Sequence, residues 1–82
     1  MSNDKVVIAV NASEYTVDNE TVTYDQVVKL AYPNANLSDP NMTYSVTFEH
    51  AKEPKQGPLA KGGSVEVKPR NTEFDVIEAN RS

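Results

Sequence analysis

The sequence predicts a small α+β domain in which one helix covers one face of a mixed five-stranded sheet. Two patterns in the 82 residues lead to this fold class. One stretch, Thr21–Tyr32, has apolar residues at helical spacing, whereas the other apolar runs are short and rich in the β-branched residues typical of strands. Two strands, one helix and three strands then follow one another along the chain.

The first two strands are predicted to form a hairpin. Lys5–Val10 is apolar on both faces, which favours a central position in the sheet. Asn11 and the residues after it have turn chemistry, and Glu14–Asp18 alternates between polar and apolar residues. The acids that flank this second strand protect it against edge-to-edge aggregation, and the same edge is one to which a peptide strand can add.

The helix is predicted from its apolar face and from its two ends. Thr23 is a good N-cap, and Gln26, three residues later, completes a capping box. Pro33 ends the helix, because a proline disfavours helical geometry at the residue before it. The residues that share the apolar face are Tyr24, Val27, Val28 and Ala31.

The second half of the chain is predicted to supply three more strands. Met42–His50 alternates cleanly, which indicates one buried and one solvated face. Ala51–Ser64 contains two prolines and three glycines and is predicted to be a long loop. Val65–Lys68 is a short strand, Pro69–Thr72 a tight turn, and Glu73–Ala79 the last strand.

The first and last strands are the most apolar on both sides, so they are expected to pair in parallel at the centre, joined by a right-handed crossover. This arrangement is β-grasp topology. Bulk alone favours Val6 and Ile8, rather than Val7 and Ala9, as the side chains facing the helix. The predicted core is Val6, Ile8, Val10, Tyr15, Val17, Val22, Val27, Ala31, Tyr44, Val46, Phe48, Leu59, Val65, Val67, Phe74 and Val76.

Length and charge restrict the possible function. Residues 1–82 are expected to form one domain, with a frayed N-terminus at residues 1–4 and a flexible C-terminal tail at residues 79–82. The net charge of −4, with scattered Lys and Arg, argues against nucleic acid and membranes as partners. The N-terminus lacks the apolar core of a signal peptide. The protein is therefore expected to be cytoplasmic, and monomeric when free.

No residue pattern indicates catalysis. The chain has no cysteine, and His50, its one histidine, has no second histidine near it. No serine lies in a nucleophile elbow, and no acidic run has calcium-loop spacing. We therefore expect no enzymatic activity, no metal and no cofactor.

The run from Val6 to Ser82 resembles the multiubiquitin family of bacterial ubiquitin-like domains. The matching segments are VVIAVN, TVTYDQVVKLA, MTYSVTF, GPLAKGGSVEVK and FDVIEANRS. The resemblance implies a β-grasp domain that acts as a modifier or a modifier-like protein. It also implies ubiquitin-activating-like and conjugating-like enzymes, and a deconjugating or processing peptidase, as partners. Several family members carry tandem copies, whereas this sequence has one.

The resemblance points to the C-terminal residues Ala79, Asn80, Arg81 and Ser82 as a conjugation tail. Ubiquitin and the sulfur carriers end in a diglycine, which this tail lacks, so a sulfur carrier is disfavoured. The internal Gly62–Gly63 precedes a strand and is interpreted as a turn. The tail is used as it stands or after trimming by a peptidase, and trimming to Asn80 or to Arg81 remains open.

The open face of the sheet is the other candidate site. Ubiquitin binds partners through an apolar patch there, whereas this face is predicted to be mostly polar, with Val7 and Ile77 as a small apolar centre. The candidate partner-binding residues are Val7, Ser45, Thr47 and Ile77. Two hypotheses follow: a conjugated modifier, or a non-catalytic binding module that is never conjugated.

Overall fold

The computed structural model describes residues 5–18, 20–68 and 71–80, which form seven strands and one helix. In chain order the elements are β1 (Val6–Val10), β2 (Ser13–Val17), β3 (Thr21–Thr23), α1 (Tyr24–Ala31), β4 (Met42–Glu49), β5 (Gly57–Pro58), β6 (Ser64–Glu66) and β7 (Glu73–Asn80). No helix within the described ranges is long and apolar enough to cross a membrane. The predicted frayed segment at residues 1–4, and residues 69 and 70 of the predicted turn, lie outside the described residues.

The main sheet has the strand order β2-β1-β7-β4-β5, with β1 and β7 side by side at its centre. These two strands run parallel, with Ala9 level with Glu73 and Val10 level with Phe74. The other pairs in this sheet are antiparallel. The predicted β-grasp topology, with the first and last strands parallel and adjacent, is confirmed.

The hydrophobic core lies between α1 and one face of the main sheet. Val6, Ile8 and Val10 are buried, so the choice of core-facing side chains on β1 is confirmed. Every predicted core residue is buried except Tyr15 and Ala31, which are half-buried because β2 is an edge strand and Ala31 is the last helical residue. Further apolar members of the core are Tyr24, Val28, Ala35 and Ala51.

The capping box at the start of α1 is present as predicted. The N–H of Gln26 donates to Oγ1 of Thr23 at 3.2 Å, and the N–H of Thr23 donates to Oε1 of Gln26 at 2.9 Å. At the other end, the N–H of Tyr32 donates to the carbonyl oxygen of Val28 at 2.7 Å, and Pro33 follows. The sequence signals at both helix ends therefore have the expected geometry.

Replacing Thr23 by alanine is expected to lower the free energy of unfolding by about 1 kcal/mol, because the first turn loses its cap. The pairing of Thr23 with Ser64 uses backbone atoms and persists in the variant. Urea unfolding measures the effect, and Thr47→Ala, at an exposed position of β4, is the control. A urea midpoint equal to that of the wild type would show that the cap does not stabilise the helix.

Three strands differ from the prediction, and one of them is β3, which precedes α1 where no strand was expected. The loop Ala51–Ser64 contains β5, which pairs with β4 through Gly57 opposite Phe48. Val65–Lys68 was expected to join the main sheet, but β6 pairs with β3 in a separate two-stranded sheet. A two-residue Gly-Pro strand has no sequence signal, because both residues are depleted in strands and only the pairing with β4 creates it.

Candidate functional site

β7 continues through the first half of the predicted conjugation tail. Ala79 lies opposite Thr43, and Asn80 lies opposite Met42. The hydroxyl of Thr43 donates to the carbonyl oxygen of Ala79 at 3.3 Å. The last strand therefore includes Ala79, as predicted, and extends one residue further, because β4 also pairs with Asn80 of the predicted tail. The rest of the tail, Arg81 and Ser82, lies outside the described residues.

Asn11 holds β7 at the point where β1 ends. The N–H of Val76 donates to Oδ1 of Asn11 at 2.9 Å, and Nδ2 of Asn11 donates to the carbonyl oxygen of Val76 at 3.2 Å. The side-chain amide thus replaces the backbone of one more β1 residue. Beyond Val76, no described strand pairs with this side of β7. The sequence indicated Asn11 only as a turn residue, because a turn does not reveal a partner 65 positions away.

The helix-facing side of the same strand end is anchored by tyrosines. The hydroxyl of Tyr44 donates to Oε2 of Glu78 at 3.3 Å, and the Tyr44 ring centroid lies 5.7 Å from that of Tyr32. Burial, followed by the Glu78 carboxylate, raises the pKa of the Tyr44 hydroxyl. The hydroxyl is protonated at neutral pH in any case, and the shift extends its role as a donor to more alkaline pH. Side-chain contacts therefore hold the strand end from which the predicted tail continues.

Three of the four predicted partner-binding residues lie together on the open face of the main sheet. Ser45 is directly opposite Ile77, and Thr47 lies two residues further along β4. The Ile77 side chain is 64% exposed, the one large apolar side chain of the described residues with such exposure. At this end of the open face, Ile77 is a single apolar side chain within a polar surface.

Val7, the fourth predicted residue, does not belong to this cluster. Ala9 is level with Glu73, so Val7 precedes Ile77 by six residues along the parallel strands. At about 3.3 Å per residue the two side chains are separated by about 20 Å along the strand direction. The predicted small apolar centre formed by Val7 and Ile77 is therefore wrong, because the register of β1 against β7 sets them apart.

The Val7 end of the open face carries a row of acidic side chains. Glu14 lies opposite Ala9, Ala9 is level with Glu73, and Glu73 lies opposite Glu49. Three carboxylates thus cross four neighbouring strands in one line. The row concentrates negative charge at this end of the face, and Glu73 and Glu49, which are directly opposite each other, repel. The row is not apparent from the sequence, because its members lie far apart in the chain.

The internal diglycine is a turn that leads into β6, as predicted. Gly62 has a φ of 84°, which favours glycine, and the N–H of Gly63 donates to the carbonyl oxygen of Ala60 at 2.8 Å. The carbonyl oxygen of Gly63 accepts the N–H of Tyr24 at 3.0 Å. The pair therefore connects β6 to the start of α1, and cleavage there would remove two strands.

His50 has a backbone role in the structure. Its φ is 63°, and its carbonyl oxygen accepts the hydroxyl of the buried Thr72 at 3.0 Å. The ring is exposed, with Nε2 3.9 Å from Oε1 of Glu49. Across the described part of the chain, no group of three His, Cys, Asp or Glu residues is placed to hold a metal ion.

Comparison with known families gives a match over almost the whole chain. A family model described as Multiubiquitin matches residues 6–80, from the first residue of β1 to the last residue of β7. No curated protein and no solved structure matches the chain. The matched region includes the whole main sheet, the Ile77 face and the beginning of the tail.

Proposed function

This chain belongs to the multiubiquitin family, and on that premise we propose that it is a bacterial ubiquitin-like protein modifier. An adenylating enzyme activates the carboxylate at the end of the tail, and conjugating enzymes join the tail to a target. A processing or deconjugating peptidase trims the tail or removes it from the target. The domain itself carries out no catalysis, and its place of action is the cytoplasm.

The observation that supports this proposal is the position of β7. The tail continues from a central strand that is held by β4 on one side and by Asn11 on the other. Past Val76 the β1 side of the strand is unpaired within the described residues, so an enzyme can approach an already extended chain there. A tail that continues in extended form from a well-held strand, and that is accessible on one side, is suited to capture by a narrow enzyme channel.

The chemistry requires activation because a free carboxylate does not react with amines at neutral pH. The carboxylate attacks the α-phosphorus of ATP on the adenylating enzyme, and pyrophosphate leaves. A thiol or an amine then attacks the resulting acyl adenylate, and AMP leaves. Trimming to Arg81 or to Asn80 leaves all of β7 in place, so either product keeps the main sheet complete.

Intact-mass spectrometry tests the proposal. The protein is mixed with its cognate adenylating and conjugating enzymes and ATP, and separately with its peptidase. We expect an adduct whose mass is the sum of the two components minus one water, and a trimmed species whose mass identifies the last residue. A mixture without ATP is the control. If the complete mixture yields no adduct, the chain is not a modifier.

A non-catalytic binding module is the second candidate, and the exposed Ile77 favours it. In that case the open face around Ser45 and Ile77 contacts a partner and no covalent bond forms. The mass experiment separates the two candidates, because a binding module leaves every mass unchanged.

A further inference from the structure

β2 presents unpaired backbone groups at the edge of the main sheet. It is the terminal strand and pairs with β1 alone. The turn Asn11–Ala12 has φ values of 51° and 70°, as in a type I′ hairpin. The residues that flank such a turn exchange hydrogen bonds, so Ser13 bonds to β1. By alternation, the N–H and C=O groups of Glu14 and Thr16 point away from the sheet.

The opposite edge of the sheet differs, because β5 covers part of β4 and carbonyl oxygens of β4 beyond the β5 pairs are engaged. The carbonyl oxygen of Tyr44 accepts the hydroxyl of Tyr24 at 2.9 Å. The carbonyl oxygen of Val46 accepts the N–H of Leu59 at 2.8 Å. Proteins commonly cover sheet edges in this way to prevent pairing with other chains. Within the described residues, β2 has no such cover.

A groove of about 320 Å³ runs between β2 and α1. Leu30 is half-buried on the α1 side of this groove, and Val17 is buried on the β2 side. Side chains alternate between the two faces of a strand, so every second side chain of a strand added beside β2 would enter the groove. Those side chains would contact Leu30, which favours apolar residues at these positions.

The open-face side of the same edge is acidic. Glu14 belongs to the row of three glutamates, and neither Glu14 nor Asp18 forms an ion pair with a described residue. The ammonium group of Lys29 donates to the carbonyl oxygen of Ala35 at 2.7 Å and points to the end of α1. If the register of β1 against β2 continues by one residue, Lys5 is level with Asp18 and offsets its negative charge. Glu14 therefore selects for a basic partner residue more strongly than Asp18 does.

We propose that the β2 edge is a docking site for an extended basic segment of a partner protein, which adds to the main sheet as a new edge strand. Residues directly opposite each other share a face. Partner residues opposite Tyr15 and Val17 are therefore apolar, and those opposite Glu14 and Asp18 are Lys or Arg. The pattern basic-apolar-any-apolar-basic reads the same in both strand directions, and it does not depend on conjugation of the tail.

A second copy of the chain fits this edge poorly. An antiparallel pair of β2 strands centred on Thr16 would place Glu14 opposite Asp18 twice. Like charges directly opposite each other are destabilising, whereas a basic segment meets both acids favourably. Charge complementarity therefore favours the basic segment as the occupant.

Titration with a synthetic peptide whose core is Lys-Val-Thr-Val-Lys tests the proposal. On binding, the amides of Glu14 and Thr16 are expected to become protected from hydrogen exchange, and NMR shift changes are expected to centre on β2 and α1. The hydrogen-exchange rates of the Ser13 and Tyr15 amides should change little, because these amides already bond to β1. A peptide with both lysines replaced by glutamate should bind at least about tenfold more weakly.

Variants of Thr16 separate backbone pairing from side-chain contact. Thr16→Pro removes an outward N–H and is tolerated, because proline is allowed on an edge strand where the N–H faces solvent. We expect about tenfold weaker binding or more. Thr16→Ala keeps the N–H and should bind like the wild type. Urea unfolding checks the fold of both variants.

A second pair of variants tests the charges if Thr16→Pro unfolds the domain. Glu14→Gln should weaken peptide binding several-fold, whereas Glu66→Gln, on the separate two-stranded sheet, should leave it unchanged.

Several outcomes would overturn the proposal. They are the absence of saturable binding at millimolar peptide, shift changes centred on β4 or on Ile77, and equal losses for both Thr16 variants. A dimer of the free chain that Thr16→Pro dissociates would make a second copy the occupant instead.

Discussion

Replacement of Phe74 by alanine is expected to lower the free energy of unfolding by about 3–5 kcal/mol. Phe74 is 1% exposed in the central strand β7, and its ring centroid lies 6.3 Å from that of Phe48. The truncation removes buried apolar surface and leaves a cavity that a close-packed sheet–helix core fills only in part. Domains of this size are only modestly stable, so the change removes a large share of the total stability.

Urea unfolding of Phe74→Ala beside Ile77→Ala provides the measurement and its control. Ile77 lies in the same strand but is 64% exposed, so its truncation should change the stability by less than about 0.5 kcal/mol. If Phe74→Ala is too unstable to measure, Phe74→Leu replaces it, and its loss of stability should lie between those expected for Phe74→Ala and Ile77→Ala. Equal costs for Phe74→Ala and Ile77→Ala would contradict the core described above.

Removal of Asn80, Arg81 and Ser82 is expected to abolish adduct formation while the domain stays folded. Asn80 contributes the last pair of the β4–β7 ladder, opposite Met42, and the truncation leaves every core residue of the described part of the chain in place. The shortened chain ends at Ala79, which is still paired with β4, so its carboxylate cannot extend into an enzyme channel. Intact-mass spectrometry with the cognate enzymes and ATP measures the adduct, and urea unfolding measures the stability.

A shorter truncation identifies which residue is the reactive end. If Asn80 is the natural end after trimming, removal of Arg81 and Ser82 alone preserves adduct formation. If Arg81 or Ser82 is that end, the shorter truncation already abolishes it. Removal of residues 2–4, the same number of residues at the other terminus, is the control. Adducts at the wild-type rate after the longer truncation would show that the tail is not the reactive end.

The sequence by itself determined the elements that depend on local patterns. The 3.6-residue spacing in Tyr24–Ala31 and the box formed by Thr23 and Gln26 predicted the helix and its start. Strict alternation in β4 predicted which of its side chains are buried, since a strand places neighbouring side chains on opposite faces. The family resemblance also followed from the sequence, and the match over residues 6–80 confirms it.

Only the tertiary structure decided which residues lie side by side. The register of β1 against β7 separates Val7 from Ile77, and pairing with β4 extends β7 to Asn80. The clamp of Asn11 on Val76 likewise joins residues from opposite ends of the chain. Alternation specifies which face of a strand is buried, but register and lateral neighbours depend on backbone hydrogen bonds between distant segments, which have no local sequence signal.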